Sequence, residues 1–170
     1  MQKNASVFLA LVYSVLFAAT VSIVFYGGHV KYITHAYLIG LLAMLLFIYA
    51  AVWLKRKREG GVLAGRDGVK EGLRFVVAAT LFMALFQVVF FETGFRDYKV
   101  NYMETQGPQI LKQQIAEGKA RISEKDIPRI IQEDVQQVTV FKEITSVVFK
   151  NLFYGAFSSF IAAMALKRKI

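Results

Sequence analysis

One stretch decides how the chain is organised: Lys55-Arg56-Lys57-Arg58, four consecutive cations that directly follow an uncharged run ending in Trp53-Leu54. Loops on the cytoplasmic side of membrane proteins carry an excess of Lys and Arg, and Trp is enriched at the level of the lipid headgroups. The stretch therefore predicts a cytoplasmic membrane edge, and its four cations are predicted to orient the chain in the membrane.

The distribution of charge supports a membrane protein, as does a composition in which 56% of the residues are hydrophobic. Most of the net charge of +9 comes from Lys3, residues 55–74 and residues 167–169, which together hold eleven cations and three acids. Residues 92–143 hold eight cations and nine acids. This pattern fits contact with anionic lipid headgroups better than a surface that binds nucleic acid. The tail Lys167-Arg168-Lys169 is therefore predicted to be a second membrane-orienting cluster.

The apolar runs predict one membrane domain with four spans, at about 5–26, 33–54, 73–91 and 144–166. The first run has 22 residues without Asp, Glu, Lys or Arg, enough for about 33 Å of helix. A signal peptide is the competing interpretation, but this run continues well beyond the usual apolar length of one. We expect an all-α integral membrane protein with both termini in the cytoplasm.

The polar segment 92–143 is long enough to form a helical insert outside the cytoplasm. Its first helix is predicted to begin near Gly107-Pro108, because proline is accepted in a first turn, and to end toward Gly118. The second is predicted to begin at Ser123 or Asp126. It either ends before the fourth span or continues into that span as one long helix.

An apolar row marks the second helix of this insert as a candidate interaction surface. Its members recur at helical spacing: Ile127, Ile131, Val135 and Val138. The short first helix offers chiefly Ile110, Leu111 and Ile115 as cover, so part of the row is expected to stay open. An open row favours docking of a protein partner or a second copy of the chain. The alternative is that the two helices pack on each other and on the membrane surface.

Small residues predict close helix packing at two places. Gly68 and Gly72 form a Gly-x-x-x-Gly pair at the start of the third span, and Gly155, Ser159 and Ala163 recur every fourth residue in the fourth span. Small side chains allow helix backbones to approach each other inside a membrane. Both sets are therefore predicted to be packing surfaces.

Two polar residues lie within predicted spans. Lys150 is near the start of the fourth span, and its long stem can carry the ammonium group to the outer headgroup layer. It is therefore interpreted as a marker of depth. Gln87 is interpreted as a hydrogen-bonding group between helices, with a role in a transport pathway as the alternative.

The sequence contains no pattern that indicates an enzyme. It has no His-Glu-x-x-His or Gly-x-Ser-x-Gly, and its glycine-rich segment 59–75 lacks the Gly-Lys-Ser/Thr of a phosphate-binding loop. With no cysteines, disulfides and thiolate metal sites are excluded. We expect no catalytic residue, no cofactor, no metal site and no nucleic-acid partner.

The order of these features resembles a known family. Two leading spans precede a basic link and the segment Gly68-Val69-Lys70-Glu71-Gly72-Leu73-Arg74-Phe75, and a polar insert precedes a last span ending in Leu166-Lys167-Arg168-Lys169. This arrangement resembles domain of unknown function 4199, a family of small four-span membrane proteins found mainly in Bacteroidota. The resemblance implies a bacterial inner membrane and supplies no activity, cofactor or catalytic residue. Inserts of that family are usually richer in Met and acidic residues than this one.

We expect the chain to be a structural or interaction protein, such as an accessory subunit or scaffold, that contacts partners through residues 92–143. The alternative is a small transporter or channel. No predicted span contains Asp or Glu, so proton coupling through a buried carboxylate would lack its central group.

Overall fold

The computed structural model describes residues 4–120 and 122–167. Every regular element among them is helical, which confirms the all-α class. Six α-helices follow in chain order: α1 (Ala5–Tyr26), α2 (Ile33–Arg58), α3 (Gly65–Phe90), α4 (Arg96–Ala116), α5 (Ile127–Gln136) and α6 (Val140–Leu166). Short 3-10 turns occur at Val30–Tyr32 and Glu124–Asp126, and a π-helical turn occurs at Phe91–Phe95.

Four helical stretches of the described chain are long and apolar enough to cross a membrane, and they include α1, α2, α3 and α6. The chain divides into two compact units. We call residues 1–86 with 147–170 the core unit, and residues 87–146 the hairpin unit. The core unit contains α1, α2, most of α3 and most of α6, whereas the hairpin unit contains α4 and α5.

In the core unit, α1 and α2 pack as a pair. Gly28 follows α1 with a φ of +78°, a left-handed conformation that glycine adopts without strain. The hydroxyl of Tyr13 donates a hydrogen bond to the carbonyl of Gly40 at 3.1 Å, and the ring of Phe17 occupies the space beside Gly40. Because Gly40 has no side chain, the backbone of α2 can approach the aromatic residues of α1.

The helices α3 and α6 run antiparallel and meet through small residues. Contacts occur at successive turns: Gly68 with Ala163, Gly72 with Ser159, and Val76 with Gly155. Each contact lies four residues further along α3 and four residues earlier in α6. The two sets of small residues, predicted separately from the sequence, therefore pack against each other.

Helix α3 begins at Gly65, so the segment before the predicted third span at about Leu73 is already helical. The carbonyl of Ala64 accepts hydrogen bonds from the N–H groups of Asp67 and Gly68, at 3.0 and 3.1 Å. Glycine lowers helix propensity by about 1 kcal/mol relative to Ala, which is why the pattern favours a late start. Here Gly68 allows the close contact with α6, and this packing outweighs the local preference.

In the hairpin unit, α4 begins at Arg96, and Pro108 lies in its interior. The predicted start near Gly107-Pro108 is therefore wrong. Ring centroids follow one another at 4.9, 6.2 and 6.2 Å along an aromatic ladder of Phe90, Phe95, Tyr98 and Tyr102. This ladder supports the first half of α4, and the helix continues through Pro108 although proline removes one backbone hydrogen bond.

A break separates α5 from α6, so the two do not form one long helix. The hydroxyl oxygen of Thr139 accepts a hydrogen bond from the N–H of Lys142 at 3.3 Å. The carbonyl of Thr139 accepts from the N–H of Glu143 at 3.2 Å. This is the geometry of an N-cap. Helix α6 therefore starts with its own cap, and α5 is a separate helix of ten residues.

Candidate functional site

A groove of about 590 Å³ lies between α4 and α5 within the hairpin unit. Its apolar lining consists of Pro108, Ile127, Pro128, Ile131 and Val135. Its polar lining consists of Glu104, Lys112, Glu124 and Gln132, all exposed. A surface with an apolar floor and a few polar groups at its edge is suited to binding an apolar group of matching shape.

The groove is shaped by one close approach between the two helices. A Cβ atom added to Gly107 of α4 would lie 2.5 Å from Cδ1 of Ile131 on α5. Because Gly107 has no side chain, Ile131 can rest against the backbone of α4. Pro108, the next residue, takes part in the lining. The dipeptide that the sequence suggests as a helix start is therefore a contact point of the groove.

The predicted apolar row is only partly open. Ile127 and Val138 are buried, with exposed fractions of 3% and 7%, whereas Ile131 and Val135 are half-buried. The sequence predicts that part of the row stays open and does not say which members do. Helix α4, with 21 residues, is longer than the cover that the sequence predicts. Ile131 and Val135 remain as the accessible part.

Paired charges occur in the hairpin unit outside the groove lining, whereas no ion pair among the described residues includes Glu104, Lys112 or Glu124 of the lining. On α5, the guanidinium of Arg129 lies 3.4 Å from the carboxylate of Glu133. After α4, Glu117 accepts hydrogen bonds from Lys119 at 2.6 Å and from Gln113 at 2.8 Å. The hydrogen bond from Lys119, followed by that from Gln113, lowers the pKa of Glu117.

The ionisable side chains of the groove lining are Glu104, Lys112 and Glu124. In the part of the chain that the structure describes, no group of three or more His, Cys, Asp or Glu side chains is placed to hold a metal ion.

The four cations 55–58, which the sequence predicts to orient the chain in a membrane, lie at the end of α2. Lys55 forms an ion pair with Glu59 at 2.7 Å, and the ammonium of Lys57 lies 5.5 Å from the ring centre of Trp53. Arg58 is exposed. A cation over an indole ring joins the two side-chain types that favour the headgroup layer.

The second cationic cluster is described only at Lys167, because Arg168 and Lys169 lie outside the described residues. Cδ of Lys167 is 3.6 Å from the place that a Cβ on Gly65 would take. The end of α6 therefore lies beside the start of α3. A short link, 59–64, joins the end of α2 to the same start, so Lys167 and the cations of α2 lie at the same end of the core unit.

A buried carboxylate in the core unit was missed by the sequence analysis. Glu71 lies in α3 with an exposed fraction of 4%, and Arg74 donates a hydrogen bond to it at 3.3 Å. The predicted third span begins near Leu73, so Glu71 lies in α3 just before that span. The spacing of Gly68 and Gly72 around it is the signal that could have found it.

Further polar groups are buried in the core unit, at positions that the sequence analysis did not assign to a site. The amide of Asn151 donates to Sδ of Met83 at 3.3 Å, and the hydroxyl of Ser14 donates to the carbonyl of Ala10 at 2.8 Å. The hydroxyl of Thr80 is buried and has no hydrogen-bond partner among the described residues. These side chains bring polarity into the interior of the bundle.

The two polar residues predicted within spans have different environments. Gln87 is buried, with an exposed fraction of 2%, whereas Lys150 is exposed on α6. Burial of Gln87 is compatible with a hydrogen bond between helices, and exposure of Lys150 is compatible with a side chain that reaches toward water.

Comparison with known proteins places the chain in a family. No protein with curated annotation and no solved structure matches it. The model of the family described as Protein of unknown function (DUF4199) matches residues 5–168, nearly the whole chain, and this confirms the resemblance of the sequence. The chain therefore belongs to the DUF4199 family.

Proposed function

We propose that this chain is a multi-pass protein of the bacterial inner membrane that acts as an accessory subunit or scaffold. In this proposal it contacts a protein partner through the groove between α4 and α5. The four long apolar helices support residence in a membrane. The groove supports a binding role, because apolar side chains remain accessible in a segment rich in charge.

The proposal includes a direction in the membrane. Both termini and residues 55–74 face the cytoplasm, because the cations of α2 and Lys167 lie at one end of the core unit. Residues 27–31 and 92–143 then face the other side. The excess of Lys and Arg on cytoplasmic loops is the physical basis for this orientation.

The observation that carries the binding role is the incomplete burial of Ile131 and Val135 on the floor of the groove. Fully burying a side chain of this size is worth about 1.5–3 kcal/mol, so covering the pair favours association. A helix that presents apolar residues every three or four positions fits a groove between two helices. The partner is therefore a protein segment with an amphipathic helix.

Site-specific crosslinking in native membranes tests this role. A photo-reactive amino acid at Gln132, which lines the groove, should crosslink to the partner. Val135→Glu should abolish the crosslink, because it places an unpaired charge on the apolar floor. Gln136→Glu adds the same charge at an exposed position outside the lining and should leave the crosslink unchanged.

Folding must be separated from binding in this test. Ile131 contacts the backbone of α4, so Ile131→Glu can disturb the hairpin unit itself, whereas Val135 makes no such contact with Gly107. Membrane insertion and the melting temperature of Val135→Glu should match those of the native chain. A crosslink that survives in a well-folded Val135→Glu protein would show that the groove is not the binding site.

A small transporter or channel is the second candidate, and Glu71 favours it. A buried carboxylate in a long apolar helix is the group that proton coupling requires. Glu71→Gln should then abolish substrate-dependent proton flux in liposomes, while Glu59→Gln, at an exposed position, should not. Absence of any flux from the native chain for a panel of ions and cationic solutes would exclude this candidate.

A further inference from the structure

A row of cations lies on α3, on a different face of the helix from the contacts with α6. Arg66, Lys70 and Arg74 follow one another at every fourth residue, and all three are exposed. Residues four apart share one face of a helix, and they are separated by about 6 Å along its axis. The first turns of α3 therefore present a straight cationic row to the surroundings.

The acids near this row compensate it only in part. Glu71 is buried and binds Arg74 at 3.3 Å, yet the side chain of Arg74 stays 64% exposed. Within residues 4–120 and 122–167, neither Arg66 nor Lys70 takes part in an ion pair. Three cations with two acids, Asp67 and Glu71, leave the row with a net charge of +1, which an anion can approach.

The same face of α3 continues as an exposed apolar row. Val77, Leu81 and Leu85 follow Arg74 at spacings of three or four residues, with exposed fractions of 50%, 62% and 66%. One side of a single helix is thus cationic for its first turns and then apolar for the next turns. A phospholipid has the same order of groups, with a phosphate next to its acyl chains.

We propose that this strip of α3 binds an anionic phospholipid. The cationic row holds the phosphate diester, and the acyl chains lie along Val77, Leu81 and Leu85. Guanidinium groups bind phosphate oxygens through paired hydrogen bonds, so Arg66 and Arg74 add geometry to charge. A zwitterionic choline lipid carries a cation of its own, so the strip prefers lipids with net negative charge. The proposal depends on the membrane residence proposed above and is independent of the groove.

Native mass spectrometry of the full chain in mild detergent tests the proposal. The probes are dioleoyl phosphatidylglycerol and dioleoyl phosphatidylcholine, which differ in headgroup and share their acyl chains. We expect the phosphatidylglycerol to be retained preferentially. Each cation near an anionic lipid contributes about fivefold in affinity, so Arg66→Gln with Lys70→Gln should weaken retention by roughly 25-fold. This pair keeps Arg74 and therefore the partner of Glu71.

A matched control removes the same charge elsewhere. Lys119→Gln with Lys125→Gln neutralises two exposed cations of the hairpin unit and should leave lipid retention unchanged. If both pairs of substitutions weakened retention equally, the net charge of the protein would determine lipid binding, and the proposal would be overturned. Equal retention of the two lipids by the native chain would also overturn it.

Inorganic phosphate separates a lipid site from a phosphate site. It lacks acyl chains, so millimolar phosphate should displace little of the bound phosphatidylglycerol. Leu81→Gln should weaken lipid retention without changing the secondary structure, because it places an amide on the apolar part of the strip. Complete displacement by phosphate, or full retention in Leu81→Gln, would show that the apolar row takes no part.

Discussion

Gly72 of α3 lies directly against Ser159 of α6, so that a Cβ atom on Gly72 would be 2.6 Å from both Cβ and Oγ of Ser159. The hydroxyl of Ser159 donates to the carbonyl of Gly155 in its own helix, at 2.7 Å. The contact with Gly72 therefore depends on the small size of both residues, because the hydroxyl of Ser159 already has a hydrogen-bond partner within α6.

Enlarging Ser159 should separate the two helices. Ser159→Leu should lower the free energy of unfolding by about 1–3 kcal/mol, the usual cost of overpacking a buried contact. Thermal melting in detergent measures this change. Phe157→Leu provides the control, because Phe157 is 65% exposed and its replacement should have little effect. Equal tolerance of both replacements would mean that the α3–α6 contact does not hold the bundle together.

Removing the hydroxyl of Thr80 should stabilise the protein. This group is buried without a partner among the described residues, and such a group costs about 1–3 kcal/mol. Thr80→Val keeps the shape and should raise the melting temperature. Thr20→Val is the control, because that exposed hydroxyl donates to the carbonyl of Leu16 at 2.8 Å and its loss should be nearly neutral. A lower melting temperature for Thr80→Val would contradict the prediction.

Single cysteines should reveal the direction of the chain in the membrane. The native chain has no cysteine, so Gly60→Cys and Lys119→Cys each introduce a unique thiol. With the proposed orientation, an impermeant maleimide added to intact cells should label Lys119→Cys, and Gly60→Cys should react only after the membrane is opened. Labelling of both from the same side would refute the orientation.

Lys150 should tolerate a change that keeps its charge. It is exposed on α6, and a long cationic side chain can reach the headgroup layer whether it ends in an ammonium or a guanidinium group. Lys150→Arg should therefore insert, fold and function as the native chain does, and Lys150→Leu should alter insertion. Loss of a cellular phenotype in a well-inserted Lys150→Arg protein would instead indicate a specific partner for the ammonium group.

The carboxylate of Glu117 should titrate below its ordinary range, because Lys119 and then Gln113 bind its ionised form and lower its pKa. A group with a lowered pKa stabilises the folded loop above its unfolded pKa, and this contribution is lost as the pH falls through the folded pKa. The carboxyl carbon shift of Glu117 in an NMR titration measures the pKa. Lys119→Gln should raise it, and an unchanged value would contradict the assigned cause.

The first two helices could be predicted closely because local chemistry determines their ends. No charged residue interrupts Ala5 to Tyr26, and Gly27-Gly28 follows at once, so the apolar run and helix α1 have the same bounds. Helix α2 begins at Ile33 as predicted but continues through the cationic cluster to Arg58. A run of Lys and Arg favours the last turn of a helix, and that preference extends α2 beyond the apolar run.

The remaining differences arise where contacts distant in sequence override local signals. Gly68 locally disfavours a helix, but its contact with Ala163 requires a residue without a side chain. Pro108 locally indicates a helix start, but α4 begins before it, in the segment with the aromatic ladder. The candidate site shows the same limit. Periodicity predicts that Ile127 and Ile131 share a face, but it does not predict that Ile127 is buried and Ile131 half-buried in the folded hairpin unit.

Because α6 has its own N-cap at Thr139, α5 can unfold without α6. A helix of ten residues is shorter than the length of about 12–15 residues at which isolated helices become marginally stable, so α5 depends on its contacts with α4. Because α6 starts from its own hydrogen-bonded turn, fraying of α5 does not spread into it. Residues 127–136 can therefore open and close as a local folding unit, with faster amide hydrogen exchange than α6. A partner that covers Ile131 and Val135 would slow that exchange, so the amide exchange rate of α5 would show whether the groove is occupied.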